Sequence, residues 1–323
     1  MKNRRSTQKL LHKGLSLPAV ALGLSACVFI SGWTAPWHRP KEHSLVQSGL
    51  ERNYLVYTPR GAEQSTVKRP LVIVLHGGGG THRGMVRLTK GRFNTLADQN
   101  GFYVVYPNAI DKTWDFGEGK VSEALPYRVD DLGYFEMLIS ELVRTLPVDP
   151  ARIFATGISR GGQASYFLAC KLPTRIRAIA PFTMPLPDYL EDDCRSGPPV
   201  GIALFNGTGD PLVPYDGGSI KVFRQDRGEV LSTAATLELW RRRNGCSDSP
   251  VSHDLIDPVP DNMQVEKTTF TNCSGAPVVL YRIENGGHTW PSGTQYLGKR
   301  LVGPVNKDID GAVEAWKFFQ QFD

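Results

Sequence analysis

The segment of residues 152–162 reads RIFATGISRGG and is the most informative part of the sequence for the fold class. Its first five residues form a short, mostly apolar run, which predicts a buried strand. Its last six residues place three glycines around Ser159, and residues 161–172 have the apolar spacing of an amphipathic helix. The sequence therefore predicts a strand that turns sharply into a helix at Ser159.

Similar apolar runs recur along the chain and alternate with amphipathic stretches. The predicted strands are residues 54–58, 71–75, 102–106, 152–156, 178–182, 201–205 and 278–283, and the predicted helices are residues 131–146, 161–172, 232–243 and 309–322. Short strands that alternate with helices indicate an α/β fold, a mostly parallel central sheet with helices on both faces. Residues 247–274 are polar and weakly patterned, so we expect a surface excursion there.

Residues 1–27 have the pattern of a secretory signal, because five bases and no acid precede an apolar run at residues 15–24. Residues 24–27, Leu-Ser-Ala-Cys, resemble a bacterial lipoprotein box, in which Cys27 is lipidated. Cleavage near Ala35 and an uncleaved anchor are the alternatives. Residues 28–49 are interpreted as a tether and residues 50–323 as one catalytic domain. We expect an extracytoplasmic location: secreted, periplasmic or membrane-anchored through a lipid.

Composition and charge narrow the class of protein. The 323 residues are 41% hydrophobic, 10% aromatic and 21% charged, which is typical of a globular protein and excludes collagen-like or disordered chains. The net charge of +5 comes from the five bases of the signal, and the remaining 32 Lys and Arg balance 32 Asp and Glu. No nucleic-acid partner is therefore expected, and we expect a monomer.

Apart from Cys27, the chain has four cysteines, which are compatible with two disulfides in an oxidising compartment. Four cysteines allow three pairings. The pairing of nearest neighbours, Cys170 with Cys194 and Cys246 with Cys273, is favoured. No CxxC or HxxxH spacing accompanies them, so no metal site is expected.

The turn at Ser159 has the form of a nucleophile elbow, in which only small flanking residues avoid a clash. A serine hydroxyl needs a general base, and the base needs a group that orients it. Asp210 follows the predicted strand at residues 201–205, and His288 follows the strand at residues 278–283. The order serine, acid, histidine and the position after strands predict a catalytic triad.

A reaction at a carbonyl also needs donors for the negative charge that develops on oxygen. Four glycines follow His76, directly after the strand at residues 71–75, where such a loop is expected. We predict the backbone N–H groups of Gly78 and Arg160 as the donors. His76 is interpreted as a residue that orders the loop.

Five blocks of sequence resemble the secreted polyhydroxybutyrate depolymerase and feruloyl esterase group of α/β-hydrolases. The blocks are residues 75–78, 129–134, 157–162, 206–215 and 286–291, and the similarity covers roughly residues 50–323. The resemblance implies ester hydrolysis through Ser159, Asp210 and His288, and a disulfide between Cys246 and Cys273. The glycine-rich loop varies within the group, so Gly77, Gly78 and Gly79 all remain candidate donors. Residues 112–127 and the tract after residue 217 have no equivalent in it.

For the remaining polar and aromatic candidates, the sequence favours structural or substrate-binding roles over catalytic ones. Asp130 and Asp131 precede a predicted helix, where carboxylates cap free N–H groups, so we expect capping and not catalysis. Loop aromatics could line a substrate pocket, and Trp290, two residues after His288, is predicted to be a pocket wall. The loop aromatics in question are Trp114, Phe116, Tyr127, Tyr215 and Trp290.

Together these features predict a serine hydrolase that cleaves small or polymeric carboxylic esters of the polyhydroxybutyrate or feruloyl type. No metal or organic cofactor is expected. A serine peptidase of the same fold is one alternative, because the same triad attacks amides. A lipid-anchored polysaccharide-binding protein without activity is the other.

Overall fold

The structure is a computed structural model that describes residues 39–123 and 125–322. The predicted signal, the predicted lipidation at Cys27 and the first part of the predicted tether lie outside the described residues. No helix within the described part of the chain is long and apolar enough to cross a membrane.

Strands and helices alternate through the described chain. The strands are β1 (Lys41–Gln47), β2 (Leu50–Tyr57), β3 (Arg69–Leu75), β4 (Tyr103–Pro107), β5 (Val148–Ile158), β6 (Ala178–Phe182), β7 (Gly201–Gly207), β8 (Gly218–Val222), β9 (Gln225–Val230), β10 (Ser252–Ile256), β11 (Gln264–Phe270) and β12 (Val278–Glu284). The helices are α1 (His82–Leu88), α2 (Arg92–Asn100), α3 (Gly119–Glu123), α4 (Asp131–Thr145), α5 (Arg160–Lys171), α6 (Glu191–Cys194), α7 (Thr233–Arg243), α8 (Lys299–Val302) and α9 (Gly311–Phe319).

Ten of the strands form one sheet, in the order β1-β2-β4-β3-β5-β6-β7-β12-β11-β10. The six from β4 to β12 in this order are parallel, whereas β1, β2, β10 and β11 are added by antiparallel pairing. The carboxyl ends of parallel strands lie at one edge of the sheet. The loops that follow β3, β5, β7 and β12 therefore meet at the same edge.

The sheet is buried on both faces, which explains the uninterrupted apolar runs of its central strands. Side chains of β3 alternate between two cores. Leu71 and Ile73 pack in the cluster that includes α4, α5 and α7, whereas Val72 and Val74 pack in the cluster that includes α1, α2 and α9. This arrangement is the α/β fold, mostly parallel with helices on both faces, that the sequence predicts.

Three segments differ from the sequence interpretation. Part of the predicted tether, Lys41–Gln47, is the edge strand β1, and the predicted surface excursion contains β10 and β11. The edge strands β1 and β10 are mostly exposed and β11 is mostly half-buried, so their position in the sheet comes from backbone pairing and not from an apolar pattern. The hairpin formed by β8 and β9 was also not predicted.

Two disulfides join the pairs that the sequence favours. Cys170 at the end of α5 is bonded to Cys194 in α6, and Cys246 is bonded to Cys273. The second bond joins the two ends of the segment that contains β10 and β11. Within the described residues, no group of three or more His, Cys, Asp or Glu side chains could hold a metal ion.

The two neighbouring carboxylates at the start of α4 have different environments. Asp130 caps the helix as expected, since it accepts the N–H of Gly133 at 2.8 Å. Asp131 is fully buried, pairs with Arg52 and accepts the N–H of Asp115 at 2.6 Å, so the expectation that it acts as a cap is wrong. Burial raises the pKa of Asp131 to about 6, against the lowering effect of Arg52. This ion pair fixes the start of α4 to β2.

Asp131→Asn is expected to lower the free energy of unfolding by about 3 kcal/mol, because it leaves the buried guanidinium of Arg52 without a counter-charge. The matched change Asp130→Asn keeps a capping oxygen and is expected to cost less than about 1 kcal/mol. Urea denaturation of both variants measures the difference. Equal losses in the two variants would show that the buried pair has no special role.

Candidate active site

The turn between β5 and α5 holds Ser159 in an unusual backbone conformation. Its φ is 57° and its ψ is −122°, which a residue with a side chain rarely adopts. Two backbone hydrogen bonds hold this conformation. The N–H of Ser159 donates to the carbonyl of Phe182 at 3.0 Å, and its own carbonyl accepts the N–H of Gln163 at 3.0 Å. The turn therefore presents the hydroxyl beyond the end of the sheet.

The glycines around Ser159 are required by close backbone packing. A Cβ at Gly157 would lie 2.7 Å from the carbonyl oxygen of Leu75, and a Cβ at Gly161 would lie 2.8 Å from that of His76. These separations are shorter than real contacts of a Cβ. The motif in the sequence thus reflects the approach of the turn to the end of β3.

Asp210 and His288 are brought together from two loops that are far apart in sequence. His288 Nδ1 lies 2.7 Å from Asp210 Oδ2, and both side chains are almost fully buried. The other carboxylate oxygen accepts the N–H groups of Leu212 at 2.8 Å and Val213 at 2.9 Å. A carboxylate fixed in this way holds the proton on Nδ1 and leaves Nε2 as a proton acceptor.

Ser159 and His288 line the same cavity, whose volume is about 600 Å³. Most of its wall is apolar. The remaining lining residues are His76, Gly77, Gly78, Gly79, Gly80, Gly84, Met85, Leu88, Thr113, Val121, Ile158, Arg160, Gln163, Met184, Leu212, Ile220, Val222, Phe223, Arg227, Tyr296 and Leu297. Asp210 lies behind His288, away from the cavity. A hydroxyl and an imidazole that face one apolar cavity are suited to attack on a bound ester or amide.

Gly78 and Arg160, the predicted oxyanion donors, lie next to each other in this cavity. A Cβ at Gly78 would be 3.8 Å from the Cβ of Arg160, so the two backbone segments are in contact. The N–H of Gly79 donates to the carbonyl of Lys112 at 2.9 Å. Gly79 is therefore engaged elsewhere, which leaves Gly77 and Gly78 of the three candidate glycines.

His76 holds the glycine loop in place through hydrogen bonds of its ring. Its Nδ1 donates to the carbonyl of Gly77 at 2.8 Å, and its Nε2 accepts the N–H of Ala109 at 3.1 Å. The carbonyl of His76 accepts the indole N–H of Trp114 at 2.9 Å. Burial lowers the pKa of His76 to about 4, so the ring is neutral and keeps both hydrogen bonds at neutral pH.

The side chain of Arg160 has a structural environment that the sequence did not indicate. Its guanidinium is buried, donates to the carbonyl of Trp114 at 2.6 Å and 3.1 Å, and also contacts Gln163 and Ser122 at 2.9 Å and 3.1 Å. It lies 4.5 Å above the ring of Phe116. Burial lowers the pKa of this guanidinium. Trp114, Phe116 and Ser122, which lie in a segment without an equivalent in the resemblance, therefore pack beside the residue that follows Ser159.

The prediction that Trp290 forms a pocket wall is wrong. Its side chain is 1% exposed, stacks on Phe182 at 3.8 Å and packs edge-on against Phe93. Trp290 therefore belongs to the buried core cluster that also contains Phe93 and Phe182. The other candidate loop aromatics also lie outside the cavity lining, which instead includes aliphatic side chains and Tyr296.

Tyr296 contacts the backbone of His288, and the sequence does not indicate this contact. Its hydroxyl donates to the carbonyl of His288 at 2.9 Å, and burial together with the nearby charge of Asp210 raises its pKa. Nothing in its sequence context could have indicated this role, since it lies eight residues beyond His288 in a segment without secondary structure.

Replacement of His76 tests how this ring supports the site. The folded protein holds the pKa of His76 at about 4, below the ordinary value of 6.5, so the unfolded chain takes up the proton first as pH falls. This group therefore stabilises the fold above pH 6.5, and about 3 kcal/mol is lost as pH falls to 4. The free energy of unfolding of His76→Asn is expected not to show this decrease as pH falls.

The measurement is the difference in free energy of unfolding between the native sequence and His76→Asn at pH 7 and pH 4.5. We expect the difference to shrink at the lower pH. His253→Asn, a change at an exposed position of β10, serves as the control and is expected to show no such trend. A difference for His76→Asn that stays constant with pH would contradict the interpretation.

Comparisons with known proteins are consistent with this architecture. No protein-family model matches the chain. "Putative esterase NocK" from Nocardia uniformis subsp. tsuyamanensis is 27% identical over 314 residues, which cover 93% of this chain and 90% of that protein. Feruloyl esterase C from Emericella nidulans is 27% identical over 241 residues, 73% of this chain and 76% of that protein.

Among solved structures, an acetyl xylan esterase from Aspergillus awamori matches with a TM-score of 0.53 at 14% identity, over 88% of this chain and 100% of that chain. The match confirms the predicted fold class. The chain therefore has an α/β-hydrolase fold, and the curated relatives that align with most of its length are esterases.

Proposed function

We propose that this protein is an extracytoplasmic serine esterase that uses Ser159, His288 and Asp210. The observation that carries the proposal is the pairing of His288 with a buried carboxylate on the cavity that Ser159 also lines. The two disulfides support an oxidising compartment.

In the first half of the proposed reaction, Ser159 Oγ attacks the carbonyl carbon of the ester. Neutral His288 accepts the hydroxyl proton at Nε2, while Asp210 stabilises the imidazolium that forms. The N–H groups of Gly78 and Arg160 donate to the developing oxyanion. His288 then gives the proton to the leaving alcohol, and the acyl group remains on Ser159.

In the second half, water attacks the acyl-enzyme with His288 again as the base. The resulting tetrahedral intermediate expels Ser159 Oγ, which regains its proton from His288. The products are a carboxylic acid and an alcohol, and no cofactor takes part.

An ester substrate of the feruloyl or acetyl type fits the observations best. The curated relatives include feruloyl esterases, and the cavity is large and mostly apolar, as an aryl or short acyl group requires. A hydroxybutyrate polymer is the second candidate, which rests on the resemblance of the sequence blocks. A serine peptidase and a binding protein without activity are the alternatives. The experiments below distinguish both of them from an esterase.

Ser159→Ala is expected to reduce kcat for a 4-nitrophenyl ester by at least about 10⁴-fold, because the nucleophile is lost. Ser140→Ala, at an exposed position of α4, is the matched control and is expected to keep full activity. Thermal unfolding of both variants checks that the fold is retained. Undiminished hydrolysis by Ser159→Ala would remove the proposed mechanism.

The orienting carboxylate gives a second, independent test. Asp210→Asn is expected to lower kcat by about 10⁴-fold, because the amide favours the wrong imidazole tautomer. Asp216→Asn lies on the same loop but is exposed, and kcat is expected to stay within about twofold of the native value. Similar rates for both variants would show that the Asp210–His288 pair is structural.

A panel of methyl ferulate, acetylated xylan, hydroxybutyrate oligomers and a peptide amide distinguishes the substrate classes. We expect the highest kcat/KM for the feruloyl or acetyl ester and no peptide cleavage. Preferential hydrolysis of the hydroxybutyrate oligomers would assign the second candidate instead, and cleavage of the peptide alone would assign a peptidase.

A further inference from the structure

The hairpin formed by β8 and β9 contributes one wall of the cavity. Ile220 and Val222 of β8, Phe223 of the turn and Arg227 of β9 all line it. Phe223 is 68% exposed and has a φ of 49°, so the turn holds an aromatic ring at the mouth of the cavity. This hairpin is the tract for which the sequence showed no equivalent.

The hairpin is fixed to both sides of the site. The N–H of Lys221 donates to the carbonyl of Leu212, two residues after Asp210, at 3.0 Å. On the other side, Lys120 of α3 pairs with Asp226 of β9 at 2.5 Å. The position of Arg227 is thereby defined relative to Asp210 and to the segment that supports Arg160.

Arg227 lines the cavity and has no anionic partner among the described residues, and unlike the buried Arg160 it has only one neutral acceptor there. Its side chain donates to Gln225, a neutral group, while the neighbouring carboxylate of Asp226 is engaged by Lys120 and by the N–H of Gly228. Arg160 instead has carbonyl, amide and hydroxyl acceptors.

The lining of the cavity also carries no acidic side chain among the residues that the structure describes. The charge of Arg227 is felt within the site, because it adds to the effect of burial in lowering the pKa of Arg160. A carboxylate would therefore meet a half-buried guanidinium, an apolar wall and no competing anion. The planar guanidinium suits two parallel hydrogen bonds to such a group.

We propose that Arg227 is a specificity-determining residue that selects esters carrying a free carboxylate, separated from the scissile ester by an apolar spacer. The apolar side chains of Ile220, Val222 and Phe223 contact the spacer, and Arg227 pairs with the carboxylate. The proposal rests on the esterase activity proposed above and narrows its substrate class.

The kinetic test compares matched esters. Mono-4-nitrophenyl glutarate carries a carboxylate where 4-nitrophenyl valerate carries a methyl group, so the pair tests the acyl side. A 4-carboxyphenyl butyrate and phenyl butyrate pair tests the alcohol side. Only the pair with its carboxylate on the side of the ester bond that faces Arg227 is expected to respond. For that pair, Arg227→Gln is expected to lower kcat/KM of the charged ester about tenfold and to change kcat/KM of the neutral ester less than about twofold.

Two further variants separate charge recognition from support of the hairpin. Arg227→Lys keeps the charge and is expected to restore part of the preference, and the preference in the native protein is expected to weaken with added salt. Arg224→Gln changes an exposed arginine of the same hairpin that does not line the cavity, and the preference is expected to remain. Equal effects of Arg227→Gln on charged and neutral esters in both pairs would overturn the proposal.

A binding measurement distinguishes failure of this proposal from failure of the esterase proposal. Calorimetry measures the Kd of mono-benzyl glutarate and 4-carboxyphenyl butyrate for Ser159→Ala with and without Arg227→Gln, so it does not depend on turnover. We expect the Kd of one of the two to rise about tenfold when Arg227 is replaced. An unchanged Kd for both overturns the role of Arg227, whereas absence of turnover in the native protein with a changed Kd overturns only the esterase activity.

Discussion

The rest of the site depends on the close packing of the turn at Ser159 against the end of β3. Glycine at position 161 allows the turn to approach that strand, and the hydrogen bond from Ser159 to Phe182 holds its backbone in the left-handed region. Phe182 in turn stacks on Trp290, two residues beyond His288. The turn that carries the hydroxyl and the loop that carries the imidazole are thus connected through one packed aromatic pair.

A second set of hydrogen bonds supports the glycine loop that follows His76. Asp131, paired with Arg52, accepts the N–H of Asp115, the residue after Trp114. Trp114 donates to the carbonyl of His76 and accepts from the guanidinium of Arg160. A buried charge pair at the start of α4 is in this way linked by hydrogen bonds to both segments that carry the proposed oxyanion donors.

The sequence predicts the parallel centre of the sheet and the places of Ser159, Asp210 and His288, because both depend on local patterns. Strands buried on both faces are continuously apolar, and a strained turn needs glycine. The edge strands and the β8–β9 hairpin lack such an apolar pattern, because backbone pairing and contacts with neighbouring segments determine their position. The direction of Trp290 and the partner of Asp131 depend on tertiary contacts, which no local pattern encodes.

The proposed mechanism requires that the His288–Asp210 pair activates Ser159. Labelling with a fluorophosphonate, followed by mass spectrometry of the peptides, tests it most directly, because only an activated serine reacts rapidly with this reagent. We expect one stoichiometric adduct, located on Ser159, whose formation is strongly slowed in Asp210→Asn. An adduct on another serine, or no adduct on the folded protein, would contradict it.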